Sequence, residues 1–221
     1  RVGLQTTFSA IRCKVVGIIN SRNNSIALRE LVERRFYYKP ITPIFNIQPL
    51  IDVSIVTYNS EKWIDGFFTS LRAQSYPLKK INLILVDNGS NDKTIARLER
   101  WRDELSSCLA AFEIIRGKNV GFGTGHDTAL KTGVSEFILI TNVDIVFEET
   151  SIAKVVAIAN TDTAERIASW ELRQLPNEHP KYYDPITQET TWSSHACILI
   201  RRSAYNTVGG YERQIFMYGE D

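Results

Sequence analysis

Cysteine, excess charge and long apolar runs are all scarce in this sequence, and each scarcity excludes a class of protein. Cys13, Cys108 and Cys197 are odd in number and far apart, which is typical of a reduced, cytosolic protein rather than of a disulfide framework or a zinc site. With 26 basic and 25 acidic residues, the formal net charge is +1, so nucleic acid is not an expected partner. No apolar run approaches the roughly 18 residues that span a bilayer, and no secretory signal is recognised.

The chain divides into a short N-terminal part and one large domain. Residues 1–48 end in the proline-rich linker "KPITPIFNIQP" and are expected to be an N-terminal extension, either an arm packed on the main domain or the tail of a preceding domain. The main domain is predicted over residues 49–221. Because the chain opens on Arg1 and stops after "MYGED", we expect it to be a piece of a longer polypeptide.

From residue 50 onward, strand and helix patterns alternate. Mostly apolar runs without a strict alternation predict strands at 51–57, 81–87, 112–116 and 136–141, and apolar residues at helical spacing predict helices at 60–74, 90–105 and 125–133. In the first of these helices, Trp63, Phe67 and Leu71 mark one apolar face. The alternation predicts an α/β fold with a mainly parallel central sheet and helices on both faces.

Polar or glycine-rich segments follow all four predicted strands. These segments are Thr57-Tyr58-Asn59, Asp87-Asn88-Gly89-Ser90, Asn119-Val120-Gly121-Phe122-Gly123 and Asn142-Val143-Asp144. Ligands of open parallel sheets bind beyond the carboxyl ends of the strands, so we expect the four segments to meet at one ligand-binding edge. Taken alone, each is explained as well by an ordinary turn, as with an Asx turn at Asp87.

The last of these segments suits a divalent cation. Asn142 and Asp144 offer an amide and a carboxylate oxygen two residues apart. Mg²⁺ or Mn²⁺ takes one or two protein carboxylates and completes its coordination with water and substrate phosphate oxygens. The sequence therefore predicts Mg²⁺ or Mn²⁺ held with a phosphate-bearing ligand, although a tight turn explains the pair equally well in isolation.

The glycines of "GFGTG" do not form a dinucleotide-binding fingerprint. The GxGxxG pattern that starts at Gly121 fails at His126, and the segment follows the third strand rather than the first. We expect these glycines either to let the backbone approach a ligand or to relieve steric strain at the entrance of the next helix.

Five segments in order resemble glycosyltransferase family 2, whose members are inverting enzymes of the GT-A (nucleotide-diphospho-sugar transferase) fold. The segments are "VSIVTYN" (53–59), "LVDNGSNDKT" (85–94), "KNVGFGTGHDTAL" (118–130), "ILITNVD" (138–144) and "SHACILIRRSAYNTVGGYERQIFMYGED" (194–221). The rhamnosyltransferase-like branch is the most similar in character. The resemblance covers residues 50 to 221, with a weak stretch from 150 to 190.

The resemblance implies a role for each matched position. Thr57, Tyr58 and Asn59 would lie along the base and ribose of a nucleotide-sugar donor, and Asp87, beside Asn88, would bind a pyrimidine ring. Asn119, Gly121 and Gly123 would shape the donor pocket. Asn142-Val143-Asp144 would be a form of the family's DXD metal motif, and Asp221, preceded by Glu220, would be the general base that deprotonates the acceptor.

The sequence departs from the family pattern at several positions. Asn142 replaces the first acid of the DXD motif, which puts tight metal binding in doubt. His126-Asp127 stands where relatives often carry asparagines, and His195 replaces a small residue, either as a packed side chain, which we favour, or as an acceptor-site group. The helices that follow the Glu-Asp motif in relatives, and help to form the acceptor site, are missing from this sequence.

The implied function is inverting, metal-assisted transfer of a sugar from a UDP- or dTDP-linked donor to a glycan or lipid-linked saccharide. We expect it in the cytoplasm, with peripheral association at the inner face of the membrane as an option. One alternative is a catalytically silent module that binds carbohydrate or nucleotide sugar. The other is a nucleotidyltransferase, which would need a glycine-rich, basic loop where "TYNSEKWID" stands.

Overall fold

The computed structural model describes residues 48–176, 180–184 and 189–218. The elements expected within residues 1–47, together with Cys13, lie outside the described residues. The same holds for Glu220 and Asp221, the two predicted catalytic residues.

A six-stranded sheet forms the centre of the described chain. Its strands are β1 (Ile51–Thr57), β2 (Ile81–Asp87), β3 (Ala111–Arg116), β4 (Phe137–Thr141), β5 (Ser169–Glu171) and β6 (Cys197–Arg201), in the order β3-β2-β1-β4-β6-β5. The first four strands are parallel, whereas β6 pairs antiparallel with both β4 and β5. The prediction of a mainly parallel sheet is confirmed, and the four predicted strands agree with the structure to within one residue at each end.

Helices cover both faces of the sheet. They are α1 (Glu61–Arg72), α2 (Thr94–Leu105), α3 (Phe122–Leu130), α4 (Ser151–Ala159) and α5 (Arg202–Val208), with a short 3-10 turn, Leu78–Lys80, before β2. Successive strand residues alternate between the two faces. One face packs with α1, α2 and α4 in the main apolar cluster, and the other packs with α3 and α5 in two smaller clusters.

The buried face of α1 differs from the one that the sequence predicts. Phe67 and Leu71 are fully buried together with Ile64, whereas Trp63 is 43% exposed and has the Lys62 ammonium 4.4 Å from its ring centroid. A step of four residues overshoots a 3.6-residue turn by about 40°, so two such steps carry Trp63 away from the stripe that contains Leu71. The placement of Trp63 on the apolar face is therefore wrong.

Helix α3 lies three residues earlier than the predicted helix at 125–133. It begins at Phe122, directly after Gly121, whose φ of 89° is in the left-handed region that favours glycine. A Cβ at Gly121 would also come within 2.3 Å of the Phe216 carbonyl oxygen. The "GFGTG" segment is consequently the first turn of a helix rather than a free loop.

A buried ion pair anchors the end of the sheet that lies farthest from the predicted ligand edge. The Asp52 carboxylate of β1 is fully buried and accepts hydrogen bonds from Asn82, Ser135 and Arg202. Arg202 begins α5, so this contact joins β1 to a helix 150 residues further along the chain. Breaking a buried pair of this kind costs roughly 3–5 kcal/mol, and the network therefore holds α5 firmly against the sheet.

Two of the cysteines lie within the described residues. Cys108 is exposed and Cys197 is buried, and both are free thiols. Burial raises the pKa of the Cys197 thiol to about 12, so this thiol stays protonated and unreactive. None of the helices in the described ranges combines the length and the apolar composition needed to cross a bilayer.

Candidate functional site

The order of the strands reverses between β1 and β4. The chain proceeds from β1 to β2 and β3 on one side, and β4 starts the other side of the sheet. At such a switch point, the connections leave a crevice beyond the carboxyl ends of the two central strands. Ser54 pairs with Ile140, and continuing this register brings Thr57 level with Val143. The segments that follow β1 and β4 therefore flank one crevice.

Hydrogen bonds tie the segment after β1 to the segment after β2. The Thr57 hydroxyl donates to Asp87 Oδ1 at 3.0 Å, and the Asn88 N–H donates to the Thr57 carbonyl at 2.8 Å. Further out, the Asn59 N–H donates to the Ser90 hydroxyl at 2.9 Å. The two strand tips thus form one connected edge, in which Asn59 is exposed.

Asp87 lies beneath this edge rather than on its surface. The residue is only 2% exposed, and its carboxylate accepts hydrogen bonds from four protein donors. The donors are the hydroxyls of Thr57 and Ser90 and the backbone N–H groups of Gly89 and Ser90. A carboxylate offers about four lone-pair sites, so these donors account for its accepting capacity. The carboxylate of Asp87 therefore orders the loop that follows β2.

Asn88 joins this edge to the start of α3. Its Nδ2 donates to the Gly121 carbonyl at 3.0 Å, and its buried Oδ1 has no hydrogen-bond partner among the described residues. Asn119 is exposed, and its Oδ1 accepts the Gly121 N–H at 3.2 Å. The Phe122 N–H is taken by the Phe216 carbonyl at 3.0 Å. Residues near 216 therefore lie against the start of α3, a long-range contact that no local sequence pattern indicates.

The segment after β4 presents a carboxylate at the crevice. Val143 is buried, Asn142 is half-buried and Asp144 is exposed. In the described ranges, no three His, Cys, Asp or Glu side chains come together as a metal site. Asp144 and Asn142 nevertheless fit an ion of the Mg²⁺ type, because that ion needs only one or two protein ligands when substrate phosphates complete its coordination. The residues fit a cation held jointly with a diphosphate.

Exposure separates the predicted site residues into two groups. Those exposed at the edge are Tyr58, Asn59, Asn119 and Asp144, and those buried beneath it are Thr57, Asp87, Asn88, Gly121, Gly123 and Val143. Asn142 lies between the two groups. The exposed side chains are available to a ligand, whereas the buried residues hold the segments in position. For Gly123 the reason is steric, because a Cβ there would lie 2.8 Å from the Tyr211 side chain.

His126 lies in α3 behind this edge. The residue is fully buried, and its Nδ1 is 2.7 Å from the Ser54 hydroxyl oxygen. Its ring packs edge-on against Phe122, with the ring centroids 4.4 Å apart. Burial lowers the pKa of His126 to about 3, with a smaller contribution from nearby His195. The imidazole is consequently neutral at physiological pH.

Asp127 connects α3 to α5 and to the segment that follows it. The Asp127 carboxylate is buried and accepts hydrogen bonds from the Tyr205 hydroxyl and, at 3.2 Å, from the Tyr211 N–H. Burial raises the pKa of Tyr205, and the hydrogen bond and negative charge of Asp127 raise it further. The phenol therefore stays protonated and keeps donating to the carboxylate.

His195 precedes β6 and faces a cleft. Its ring is half-buried and packs edge-on against Tyr211, with the centroids 5.4 Å apart. Both residues line a cleft of about 370 Å³ next to α5. Packing, the role that the sequence favours for His195, therefore accounts for only part of its surroundings, because the residue also lines the cleft. The sequence did not indicate the cleft, because residues 150 to 190, which supply part of its lining, carry no recognisable motif.

Comparison with known families identifies the class of protein. The profile described as glycosyl transferase family 2 matches residues 52–211, which include all six strands apart from Ile51, the first residue of β1. The chain belongs to this family.

Two similar proteins of known name are bacterial glycosyltransferases. Over 92 residues the chain is 34% identical to the poly(ribitol-phosphate) beta-N-acetylglucosaminyltransferase TarS of Staphylococcus aureus, covering 42% of this chain and 16% of TarS. It is 24% identical over 217 residues to the N-acetylglucosaminyl-diphospho-decaprenol L-rhamnosyltransferase of Mycobacterium tuberculosis, covering 78% of this chain and 68% of that protein. The chain therefore matches only a small part of TarS and about two thirds of the mycobacterial enzyme.

Solved structures of similar fold are GT-A glycosyltransferases. The mannosyltransferase PcManGT from Pyrobaculum calidifontis, in complex with GDP-Man and Mn²⁺, superposes with a TM-score of 0.63 at 17% identity over 93% of this chain and 60% of that one. Residues 1–349 of S. aureus TarS, in complex with UDP, superpose with a TM-score of 0.59 at 19% identity over 77% of this chain and 52% of that one. The predicted GT-A fold is confirmed.

Proposed function

We propose that this chain is the donor-binding and catalytic part of an inverting glycosyltransferase. It moves a sugar from a UDP- or dTDP-linked donor to a glycan or lipid-linked saccharide, with Mg²⁺ or Mn²⁺. Membership of glycosyltransferase family 2 supports the transfer reaction. The mycobacterial relative is named for a lipid-linked acceptor, and the staphylococcal relative was solved with UDP. Both names support the choice of acceptor and donor.

One observation carries the proposal: the exposed carboxylate of Asp144 stands at the switch-point crevice, beside the connected tips of β1 and β2. A donor laid along this crevice has its base and ribose against Tyr58 and Asn59 and its diphosphate toward Asp144. Asn119 borders the same edge from the start of α3. In this arrangement the donor runs along the segments that follow the strands, in the strand order β3-β2-β1-β4.

The cation would be held by Asp144, with Asn142 as a weaker neutral ligand. When bound, it neutralises the charge that builds up on the departing nucleoside diphosphate. A neutral first ligand lowers the protein's own contribution to metal affinity, so the diphosphate supplies a larger share of the coordination. The cation and the donor therefore bind well only when both are present, and each binds weakly without the other. PcManGT was solved with both GDP-Man and Mn²⁺, which supports this pairing.

Asp221 is proposed as the general base, and the neighbouring Glu220 is proposed to contribute less to catalysis. A carboxylate on the far side of the anomeric carbon removes the acceptor's proton while the acceptor oxygen forms its bond to that carbon. The bond to the diphosphate breaks on the opposite side, so a single displacement inverts the anomeric centre. We propose that the reaction takes place in the cytoplasm, with peripheral association at the inner face of the membrane as an option for a lipid-linked acceptor.

The role of Asp87 in this proposal is indirect as well as direct. Its saturated carboxylate fixes the loop after β2, on which the pyrimidine base would rest. Direct acceptance of a hydrogen bond from the pyrimidine N3–H requires one protein donor, such as the Ser90 hydroxyl, to turn away. A hydroxyl rotates at small cost, so base recognition through Asp87 stays compatible with the loop geometry.

A second function, a silent module that binds nucleotide sugar, is favoured by the substitution of Asn142 for the first acid of the metal motif. Such a module would bind the donor without releasing nucleoside diphosphate. Turnover in the presence of an acceptor extract, followed as released UDP or dTDP, separates the two functions.

A thermal-shift experiment tests donor binding and its dependence on metal. UDP, dTDP and GDP are added with Mn²⁺ or with EDTA. A nucleotide at 100 times its dissociation constant stabilises the fold by about 2.7 kcal/mol, which corresponds to a rise in Tm of roughly 5–11 °C for a domain of this size. We expect UDP or dTDP to give this rise with Mn²⁺ and a smaller rise with EDTA.

Asp144→Ala provides the matched variant. It should abolish the metal-dependent part of the shift and leave the Tm of the ligand-free protein nearly unchanged, because Asp144 is exposed. Asp103→Ala, an exposed carboxylate on α2, serves as the control and should behave as the unaltered protein. Equal nucleotide shifts in Mn²⁺ and EDTA would refute the metal-assisted site.

A further inference from the structure

The cleft beside α5 has the size of a ligand pocket. It measures about 370 Å³ and lies between β6, α5 and residues 189–195. Pockets for small ligands typically measure about 300–1,000 Å³. Ile198 and Ile200 of β6 contribute apolar surface, and the Trp192 side chain, 37% exposed, lines the same space.

The chemistry of the lining favours a neutral, hydroxyl-bearing ligand. Among the described residues that line the cleft, none is Asp, Glu, Lys or Arg. Four of them are serine or threonine: Ser169, Thr190, Thr191 and Ser193. A diphosphate is usually bound by Arg, Lys or several convergent N–H groups, so the charged end of the donor does not suit this cleft. A pyranose ring has an apolar C–H face and a rim of hydroxyl groups, which match aromatic surface and hydroxyl side chains respectively.

A buried lysine fixes the ring of Trp192 in place. Lys181 Nζ lies 4.0 Å from the ring centroid, within the distance of a cation–π contact, and its side chain is fully buried. The same ammonium forms an ion pair with Glu171 of β5, whose side chain is 9% exposed. Lys181 does not line the cleft, so it contacts the ring without taking part in the ligand-facing surface. A ring held in this way offers stacking surface that needs little further ordering when a ligand binds.

The cleft adjoins the segment that carries Asp144. The Asn142 N–H donates to the Ala196 carbonyl at 2.9 Å, and Thr141 pairs with Cys197. His195, which lines the cleft, immediately precedes Ala196. The His195 end of the cleft therefore adjoins the segment that carries Asn142 and Asp144, on the β6 side of the crevice.

From these observations we infer that the cleft binds a neutral saccharide unit of the acceptor, with Trp192 as the stacking surface that selects it. That this saccharide belongs to the acceptor rests on the proposed transfer function. Trp192 is thus a specificity-determining residue that the family motifs do not include.

Ligand-observed NMR tests this binding with neutral sugars as probes. Saturation-transfer difference spectra are recorded with the methyl glycosides of glucose, galactose, mannose, rhamnose and N-acetylglucosamine. We expect at least one to bind, Trp192→Ala to weaken that binding about tenfold, and Trp192→Phe to keep most of it. Tyr182→Ala is the matched control, since Tyr182 is an aromatic residue of the neighbouring segment that is 75% exposed and does not line the cleft.

The outcomes distinguish this inference from the proposed function. If a glycoside binds and Trp192→Ala alone removes it while UDP thermal shifts persist, the inference is supported. Binding of none of the five glycosides, or equal loss in the Tyr182 variant, overturns it and leaves the nucleotide result standing. If the hydrophobic-surface probe anilinonaphthalene sulfonate, an aromatic anion, binds in a Trp192-dependent manner while no glycoside does, the cleft receives an apolar segment instead, and the saccharide assignment is wrong. Unchanged melting of the Trp192→Phe variant verifies that the fold is intact.

Discussion

Mild acidification should destabilise this protein through a single buried imidazole. His126 is fully buried in α3, with Nδ1 at 2.7 Å from the Ser54 hydroxyl oxygen and a buried Nε2 that has no hydrogen-bond partner among the described residues. A proton on Nε2 would place a charge where no described group stabilises it. Burial, and secondarily the nearby His195, accordingly lower the pKa of His126 to about 3.

The sign and size of the effect follow from the difference in bound protons. A histidine in the unfolded chain has a pKa of about 6.5, so between that value and about 3 the unfolded state binds one proton that the folded state does not. Stability is therefore fully present above the unfolded pKa and falls by about 1.4 kcal/mol per pH unit below it. The loss reaches about 2 kcal/mol at pH 5.

Two carboxylates whose pKa values are lowered, those of Asp65 and Asp162, do not contribute in this window. Hydrogen bonds and neighbouring cations lower the pKa of Asp65, and the backbone N–H groups of Ile167 and Arg166 lower that of Asp162. A carboxylate with a lowered folded pKa loses its stabilising effect only when the pH falls through the unfolded value of about 3.9 and below. Measurements at pH 5 and above therefore separate the effect of His126 from that of these two carboxylates.

Urea unfolding at pH 7, 6 and 5 measures the effect. For the unaltered protein, we expect the free energy of unfolding to fall by about 2 kcal/mol between pH 7 and pH 5, equivalent to roughly 4–8 °C in Tm. His126→Gln cannot take up the proton, so its stability should change little over the same range, whatever its absolute value at pH 7. A parallel loss in this variant, or no loss in the unaltered protein, would refute the reasoning.

Two further predictions concern the donor and the base. Asp87→Ala leaves the N–H groups of Gly89 and Ser90 without their acceptor, so we expect the free energy of unfolding in urea to fall by roughly 1.5–3 kcal/mol. Calorimetry should also show a weaker preference for UDP and dTDP over ADP. An unchanged preference would mean that Asp87 does not recognise the base. In the full-length protein, Asp221→Asn should lower sugar transfer by about 10²–10⁴-fold with donor affinity nearly kept, and Glu220→Gln should cost less; normal turnover in the Asn variant would place the base elsewhere.

The strands and the polar segments that follow them were readable in the sequence itself. Runs such as 51–57 and 81–87 are mostly apolar, as a strand buried on both faces must be regardless of what lies far away in the chain. Because parallel strands carry their ends to the same edge, the chain order alone placed Asp87 and Asp144 on one side of the sheet. The fold and the location of the candidate site therefore rest on local signals.

Packing decided the details that local signals could not. The start of α3 depends on the Phe216 carbonyl, about 90 residues away in sequence, and Trp63 is exposed because Ile64 takes the inward position. Burial also gave Asp87 a role that the sequence did not indicate, as a support for its loop.

The cleft at Trp192 depends entirely on tertiary structure. Its lysine support comes from residue 181 and its ion-pair partner from β5, and neither belongs to a periodic pattern or a motif. The sequence determined which residues form strands and which chemical groups end them, because those properties depend on neighbours within a few positions. Which of those groups are exposed, and which distant side chains meet to form a cleft, was decided only when the chain folded, because burial and charge pairing are set by contacts between residues far apart in sequence.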